Sequence, residues 1–440
     1  MIFLIFFSRR FIKDIVVEET NNKLENTTNF GEFLRYIGIW VIITKACPGK
    51  MSHNKFRSHE PVSRKTGAPF RLSGRRFNEI TQALCFTSKD SPQDRDPFWE
   101  VSELIRAWNA NMMDNFVSGW INCLDESMSI WTSRWACPGW IFSSRKQHPV
   151  GNKYPTICCG CLGIMFGMEM MEGKHRPKEL SSNPKKRMRR LLLQLCRSLY
   201  SMGKVVILDS SFCVIEALIT LKKVGVYASA LIKKRRYWPA HVPGDAIDDH
   251  FKGKEVGSTD SLEGLIDDVH YDIFCMKEPD YVMKIITAYR GLIVKDGQKE
   301  SNRVWVDGTT GEQQQKTFCY METFLNHFDF RHVVDDHNNI RHQGPSIEEV
   351  WATHRCANSV FQFILAVTKV NCYLAFRYFV WKNHTNCITF QDFRSDLGWA
   401  LIDNNFISTN ASTGSSRRKR RRVVDHVLAT AWKMGCYKQM

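Results

Sequence analysis

Apolar and polar residues follow two different rhythms along this chain. From Phe6 to about Ser118 the rhythm is helical. After Thr27, Thr28 and Asn29, residue types that can cap a helix, apolar side chains recur at Phe33, Ile37, Ile39, Ile42 and Ile43, the spacing of a buried helix face. Between about Trp120 and Gly225 short β-rich runs, ICCGCLGIMFGMEM and VVILD from Val205, alternate with helical ones, RRLLLQLCRSLYSM from Arg189 and VIEALITLKKV from Val214. Strands alternating with helices predict an α/β core. From Trp238 to about Cys319, turns of Gly, Asp and Pro punctuate short aromatic or β-branched runs, which predicts a small, mostly β insertion. After Pro345, Ser346 and Glu349 form a capping-box pattern. It precedes an apolar run through Trp351, Phe361, Phe363, Leu365, Val367 and Leu374, which predicts a long buried helix or a pair of helices.

Composition adds a partner class to this outline. The 440 residues are 43% hydrophobic, enough to bury one large core or several smaller ones. Lys and Arg number 61 against 45 Asp and Glu, a net charge of +16, and such a surplus attracts polyanions. Nucleic acid is therefore the leading partner, against the blander account that the charge only keeps the chain soluble. The 15 cysteines fall short of a disulfide scaffold and mostly sit in apolar runs, which fits a reducing compartment. The CxxC spacing from Cys158 to Cys161 has no second pair at zinc-finger spacing, so it reads as buried strand and not as a zinc site.

The opening MIFLIFFSRRF resembles a signal peptide only in its first seven residues and reads as a helix of a globular domain. No run of eighteen uncharged apolar residues exists, so no membrane span is expected and the chain reads as soluble. The stretch NASTGSSRRKRRR is a small-polar linker ending in six consecutive basic residues, Arg417 to Arg422. It reads as a nuclear-import or phosphate-contacting patch, or as a solvated tail.

Three acidic settings stand out among residues that elsewhere serve as caps, turns or surface charges. Asp209 ends the buried-strand run from Val205 to Leu208, and the C-terminal ends of such strands are where open α/β sheets place functional groups. Asp125 follows the strand-like Ile121 to Leu124. Asp335 lies in HVVDDHNNIRHQ, where Val333 and Val334 lead into a polar stretch before the long helix. Three carboxylates converging at one sheet edge would hold two Mg²⁺ ions, hard cations that take oxygen ligands, about 3.5–4 Å apart for phosphodiester displacement. Spacing alone leaves this one arrangement among many.

The wording around these residues is more specific. LDESMSIW from Leu124, CPGW from Cys137, SRKQHPVGNKY from Ser144, LDSSFC from Leu208, ALIKKRRYWPAHVPGD from Ala230, MKEPDYVM from Met276 and VVDDHNNIRH from Val333 occur in that order and together resemble the piggyBac transposase domain. The resemblance runs from about Asn21 to Asn405. It implies an α/β fold: a ribonuclease-H-like catalytic core with a mostly β insertion and a flanking α-helical domain. The corresponding division is a helical dimerisation or DNA-binding segment at 1–118, the first part of the core at 119–240, the insertion at 241–325 and the third acid at 326–345. A helical segment at 346–408 completes the flanking domain, and 409–440 is a basic tail.

By the same resemblance Asp125, Asp209 and Asp335 are the catalytic metal ligands, with Asp336 as the rival for the third position and Mg²⁺ or Mn²⁺, two ions, as cofactor. The family tends to carry a further acid three residues after the third ligand, where this chain has Asn338. Arg145 and Lys146, and the run Lys233, Lys234, Arg235, Arg236, Tyr237 and Trp238, are the expected DNA contacts. Cations neutralise phosphates and an aromatic can stack on an unpaired base; the alternative is a solvated strand end. Lys185, Lys186, Arg187, Arg189 and Arg190 form a second basic cluster, read equally as the exposed approach to a helix. His337 and His342 could support the third acid or be ordinary polar contacts.

The resemblance implies double-stranded DNA as partner, both transposon ends and a TTAA target, a homodimer and a nuclear location. Many relatives end in a cysteine-rich zinc module, for which this tail offers only Cys436 and His426, and the resemblance implies a start at the domain's first helix, without the acidic leader expected of the family. An active cut-and-paste transposase is one expectation. A domesticated, catalytically silent nuclear DNA-binding protein is the other, and a nuclease acting on RNA has no sequence signature in its favour.

Overall fold

The computed structural model describes residues 2–46, 70–91, 96–131, 137–144, 148–171, 184–288, 296–308, 310–351, 353–380 and 388–406. The basic tail, Arg145 and Lys146 lie outside these residues. Helices come first: a run of short helical turns over 3–21, then α1 (Phe30–Ala46), α2 (Gly74–Ala83) and α3 (Trp99–Asn115). The opening residues behave as a globular helix, with Phe3, Phe6, Phe7 and Phe11 buried. Asn29 Oδ1 accepts from Glu32 N at 2.9 Å at the start of α1, as its capping chemistry predicts.

The chain then enters a mixed sheet. Its first strands are β1 (Ile121–Met128), β2 (Trp140–Phe142), β3 (Val150–Cys159), β4 (Met165–Met168), β5 (Lys204–Leu208) and β6 (Val226–Ile232), with α4 (Pro184–Leu195) before β5 and α5 (Ile215–Lys223) between β5 and β6. After α6 (Gly244–His250) come β7 (Thr259–Ile266), β8 (Val269–Lys277) and β9 (Val282–Thr287). The spatial order among the described residues is β2-β3-β1-β5-β6-β9-β8-β7, with β4 also on β3. β1, β5 and β6 are parallel to their neighbours in that trio and the remaining pairs are antiparallel. The parallel step from β5 to β6 needs a crossover, which α5 supplies. The stretch read from sequence as a β insertion thus adds three strands to the central sheet, while β10 (Asp296–Val306) and β11 (Gln313–Met321) form a separate ribbon.

The last elements are α7 (Glu322–Phe330), α8 (Val333–Arg341), α9 (Ile347–Val350), α10 (Cys356–Phe379) and α11 (Phe390–Ile402). The capping box at Ser346 and Glu349 forms, but it opens only the short α9; the long helix starts afresh at Cys356. By length and composition α10 could cross a membrane, with mean hydropathy 1.4 over its most apolar window, and 89% of that window is buried inside the protein. Segments from both ends of the chain pack around it. Phe7 meets Phe361 edge-on, Trp108 Nε1 donates to Thr368 Oγ1 at 3.2 Å, and Trp40 stacks on Trp351 at 4.2 Å. A disulfide joins Cys137 to Cys356 across 219 residues of sequence, a departure from the expectation of reduced thiols that only packing could create.

Helices α1 and α11 cross where two glycines meet. A Cβ at Gly38 would stand 2.7 Å from Gly398 O and 2.9 Å from the Leu401 and Ile402 side chains. Gly38→Ala should therefore push the helices apart and cost about 1–3 kcal/mol, read as a lower denaturation midpoint. Helix α10 also buries a cation: Lys369 is 0% exposed and its Nζ has no hydrogen-bond partner among the described residues. Burial, reinforced by Arg394, pulls its pKa from 10.5 to about 7. Between those two values the unfolded chain holds a proton that the folded chain does not, so this residue makes stability rise with pH there. Urea midpoints at pH 7 and 9 should show that gain in the natural chain and lose it in Lys369→Met.

Candidate active site

β1 and β5 run in parallel with Ile121 opposite Val205 and Leu124 opposite Leu208. Side chains alternate between sheet faces, so Ile121, Cys123 and Asp125 share the face of Val205 and Ile207. The register then brings Asp125 beside Asp209, the residue after Leu208. Sequence reading sets Asp125 just beyond a short strand, whereas the structure has it inside β1. The strand continues because β3 pairs with it on the other side, through Asp125↔Thr156 to Met128↔Lys153.

Helices α7 and α8 cover that face. Phe330 packs on Ile121, Val205 and Ile207, and Cys123 Sγ donates to Arg331 O at 3.5 Å. Asp335 and Asp336 occupy the first turn of α8, where the helix dipole favours acids; the polar stretch expected there is helical. Successive residues turn by about 100°, leaving Asp335 half-buried and Asp336 exposed. Burial drives the Cys123 thiol far above its ordinary range, and the charges of both Asp125 and Asp335 raise it further. The two carboxylates thus lie near the same sulfur.

Asp209 caps a short 3₁₀ turn, its Oδ2 accepting from Ser211 N at 3.3 Å. Burial pushes its carboxyl up, but the N–H groups of Ser210 and Ser211 and the Lys233 charge outweigh it and hold the group below its ordinary range. Within electrostatic reach of it, on α7, is His327, buried, with no partner for either ring nitrogen among the described residues. Burial and Arg331 depress its pKa to about 4 against the pull of Asp209, so it is neutral. No motif surrounds His327, and sequence reading missed it. His337 and His342 turn away from the acids: His337 Nε2 lies 3.2 Å from Asn371 Oδ1, and His342 packs against His148 with ring centres 4.3 Å apart and the rings tilted by 42°.

Asp125, Asp209 and Asp335 are hard oxygen donors, the type that Mg²⁺ or Mn²⁺ takes. Among the described residues no three acidic, His or Cys side chains are gathered closely enough to hold a metal as they stand. Asn338, where the piggyBac pattern has an acid, accepts from Arg341 Nη2 at 3.4 Å instead.

Beyond Asp209 opens a cavity of about 530 Å³. Ser210 and Ser211 form its near side, and Arg187 and Arg190 of α4 meet Lys233 and Arg235, which follow β6, around it. Two basic runs far apart in sequence are therefore brought to one place, which raises Arg187 and Arg190 above the exposed helix approach that sequence allowed. Tyr237 also lines the cavity and is 73% exposed, with Arg236 Cζ 5.6 Å from its ring centre. Trp238 is fixed from behind: Nε1 donates to Asp245 Oδ1 at 3.1 Å, Lys284 Nζ is 4.6 Å from its ring, and a Cβ at Gly244 would overlap it. Lys234 also donates to Asp245, at 2.7 Å, so its charge is partly spent within the protein.

Residues 1–373 match the family model described as Transposase IS4. The chain belongs to that transposase family. A solved structure with a similar fold is that of piggyBac transposase in a synaptic complex with hairpin DNA, determined by cryo-electron microscopy. It aligns with a TM-score of 0.71 at 15% identity, covering 97% of this chain and 84% of that one. At that identity the likeness speaks for the fold. No curated protein matches the transposase. The sheet edge where β1 and β5 end therefore belongs to a transposase.

The capping role of Asp209 in this transposase can be separated from any chemistry. Asn caps as well as Asp, whereas Ala costs about 1 kcal/mol. Thermal denaturation should show Asp209→Asn melting with the natural chain and Asp209→Ala melting lower.

Proposed function

We propose that this chain is a DDE transposase with a ribonuclease-H-like core, whose strand cleavage and transfer depend on Asp125, Asp209 and Asp335. The observation that carries the reading is the β1–β5 register, with Leu124 opposite Leu208, under a helix whose first turn bears Asp335. These carboxylates would hold two divalent cations, Mg²⁺ or Mn²⁺, which when bound activate the attacking oxygen and stabilise the leaving one in phosphodiester displacement. Asp209 contributes a carboxylate kept ionised by its backbone N–H groups and Lys233. Arg187, Arg190, Lys233 and Arg235 bind phosphates of the DNA strand, holding the scissile bond at the sheet edge. Tyr237, exposed beside them, offers a face for an unpaired base.

The substrate is double-stranded DNA: transposon ends, cut and then joined by a 3′-hydroxyl to a TTAA target in the nucleus. In its favour are the family, the net charge of +16 and the basic run from Arg417 to Arg422. One observation favours a catalytically silent DNA-binding descendant: Asn338, an amide in the acid position of the piggyBac pattern, is engaged by Arg341.

An excision assay separates the two. On a plasmid bearing matching terminal inverted repeats, the natural chain should excise the segment between them and Asp209→Asn should fall to background. Equal excision by both, or none by either, sinks the catalytic reading. For DNA contact, Arg235→Ala should lower the slope of log affinity against log salt by about one unit on duplex DNA of any sequence.

A further inference from the structure

The helix that carries Asp335 is held at its far end by a buried ion pair that neither the sequence motifs nor the metal-binding reading calls for. Arg341, the last residue of α8, and Glu348 of α9 each have side chains only 1% exposed, and they pair directly. Arg341 Nη2 donates to Met128 O at 2.7 Å. Met128 is the last residue of β1, three positions past Asp125. The second Glu348 oxygen accepts from Ile130 N at 3.2 Å. One guanidinium and one carboxylate thus grip the backbone just beyond β1 from both its C=O and N–H sides. Phe363 of α10 backs the guanidinium, its ring centre 4.7 Å from Cζ.

Stability does not account for this arrangement. Taking two charges out of water costs several kcal/mol, and well-packed apolar residues in place of such a pair are often as stable or more so. What an apolar pair cannot do is fix direction. Hydrogen bonds to Met128 O and Ile130 N specify where the end of α8 sits relative to β1. Asp335 stands six residues back along the same helix, about 9 Å at 1.5 Å per residue. Just before α8, Cys123 of β1 adds a weaker thiol bond to Arg331 O.

We propose that Arg341 and Glu348 are positioning residues that set Asp335 against Asp125, and so set the affinity of the site for divalent cations. The proposal rests on the three-Asp reading above. It assigns the pair no contact with DNA or with the reacting atoms.

The test is Mn²⁺ binding to the full chain, followed by the electron paramagnetic resonance signal of free Mn²⁺, alongside the Mn²⁺ dependence of DNA nicking. In Arg341→Met/Glu348→Met both charges go together, so neither is stranded. This variant should melt at or above the natural chain, bind Mn²⁺ about tenfold more weakly, and need about tenfold more Mn²⁺ for half-maximal nicking while recovering rate at saturation. A purely structural pair would lower the amount of active protein without moving either midpoint. Should the double variant fail to fold, Arg341→Lys keeps the charge but not the two-pronged grip, and a weaker Mn²⁺ affinity is expected there too. A folded variant of either kind with natural Mn²⁺ affinity overturns the proposal. If Asp209→Asn also binds Mn²⁺ as the natural chain does, the three-Asp reading fails with it; if Asp209→Asn alone is weakened, only the positioning role fails.

Discussion

The parallel hydrogen bonding of β1 with β5, from Ile121↔Val205 to Leu124↔Leu208, constrains most of what surrounds it. A shift of one residue would turn Asp125 or Asp209 to the opposite face, since sheet side chains repeat with period two. Burial pins the register. Val206, Leu208 and Leu124 enter the large core while Ile121, Val205 and Ile207 pack under Phe330, so a slip would exchange two apolar sets between unequal surroundings. The two acids are adjacent because apolar residues on either side of them leave the strands no other pairing.

Around that pair the protein arranges charge of both signs without pairing everything off. Asp209 is held ionised by N–H groups and Lys233, and His327, which feels its charge, is kept neutral by burial. The cations of α4 and of the segment after β6 gather at the cavity beside Ser210 and Ser211. Trp238 and Lys234, in contrast, spend their polar groups on Asp245. An acidic edge beside a basic cavity suits a polyanion whose backbone must approach metal ligands.

The helical layer does the positioning. Helix α10 is almost wholly buried, and elements from both ends of the chain meet on it, through Phe7, Trp108 and the Trp40–Trp351 stack. α8 lies between α10 and β1, so the placement of Asp335 inherits the packing of residues hundreds of positions away. The buried Arg341–Glu348 pair is where that inheritance becomes directional, because hydrogen bonds have geometry and apolar contacts do not.

Local pattern in the sequence was sufficient for β5, α5, the helices of the first 118 residues and the cap at Ser346, since each depends on periodicity and capping chemistry within a few residues. Motif order pointed to the transposase family, and with it to Asp125 and Asp209. Pattern did not reveal that β1 runs on through Asp125 to Met128, because what extends it is pairing with β3, where Thr156, 31 residues downstream, lies opposite Asp125. Nor did it reveal that Asp335 opens a helix, that strands 259–287 join the central sheet, or that Arg187 and Arg190 share a cavity with Lys233 and Arg235. His327 and the Arg341–Glu348 pair carried no local signal at all. By itself the sequence determined which segments form helices and strands and which residue types are available for chemistry, because those follow from short-range periodicity. Only the tertiary structure decided which of those residues meet, because strand pairing and helix packing join positions whose separation along the chain leaves no mark on the local pattern.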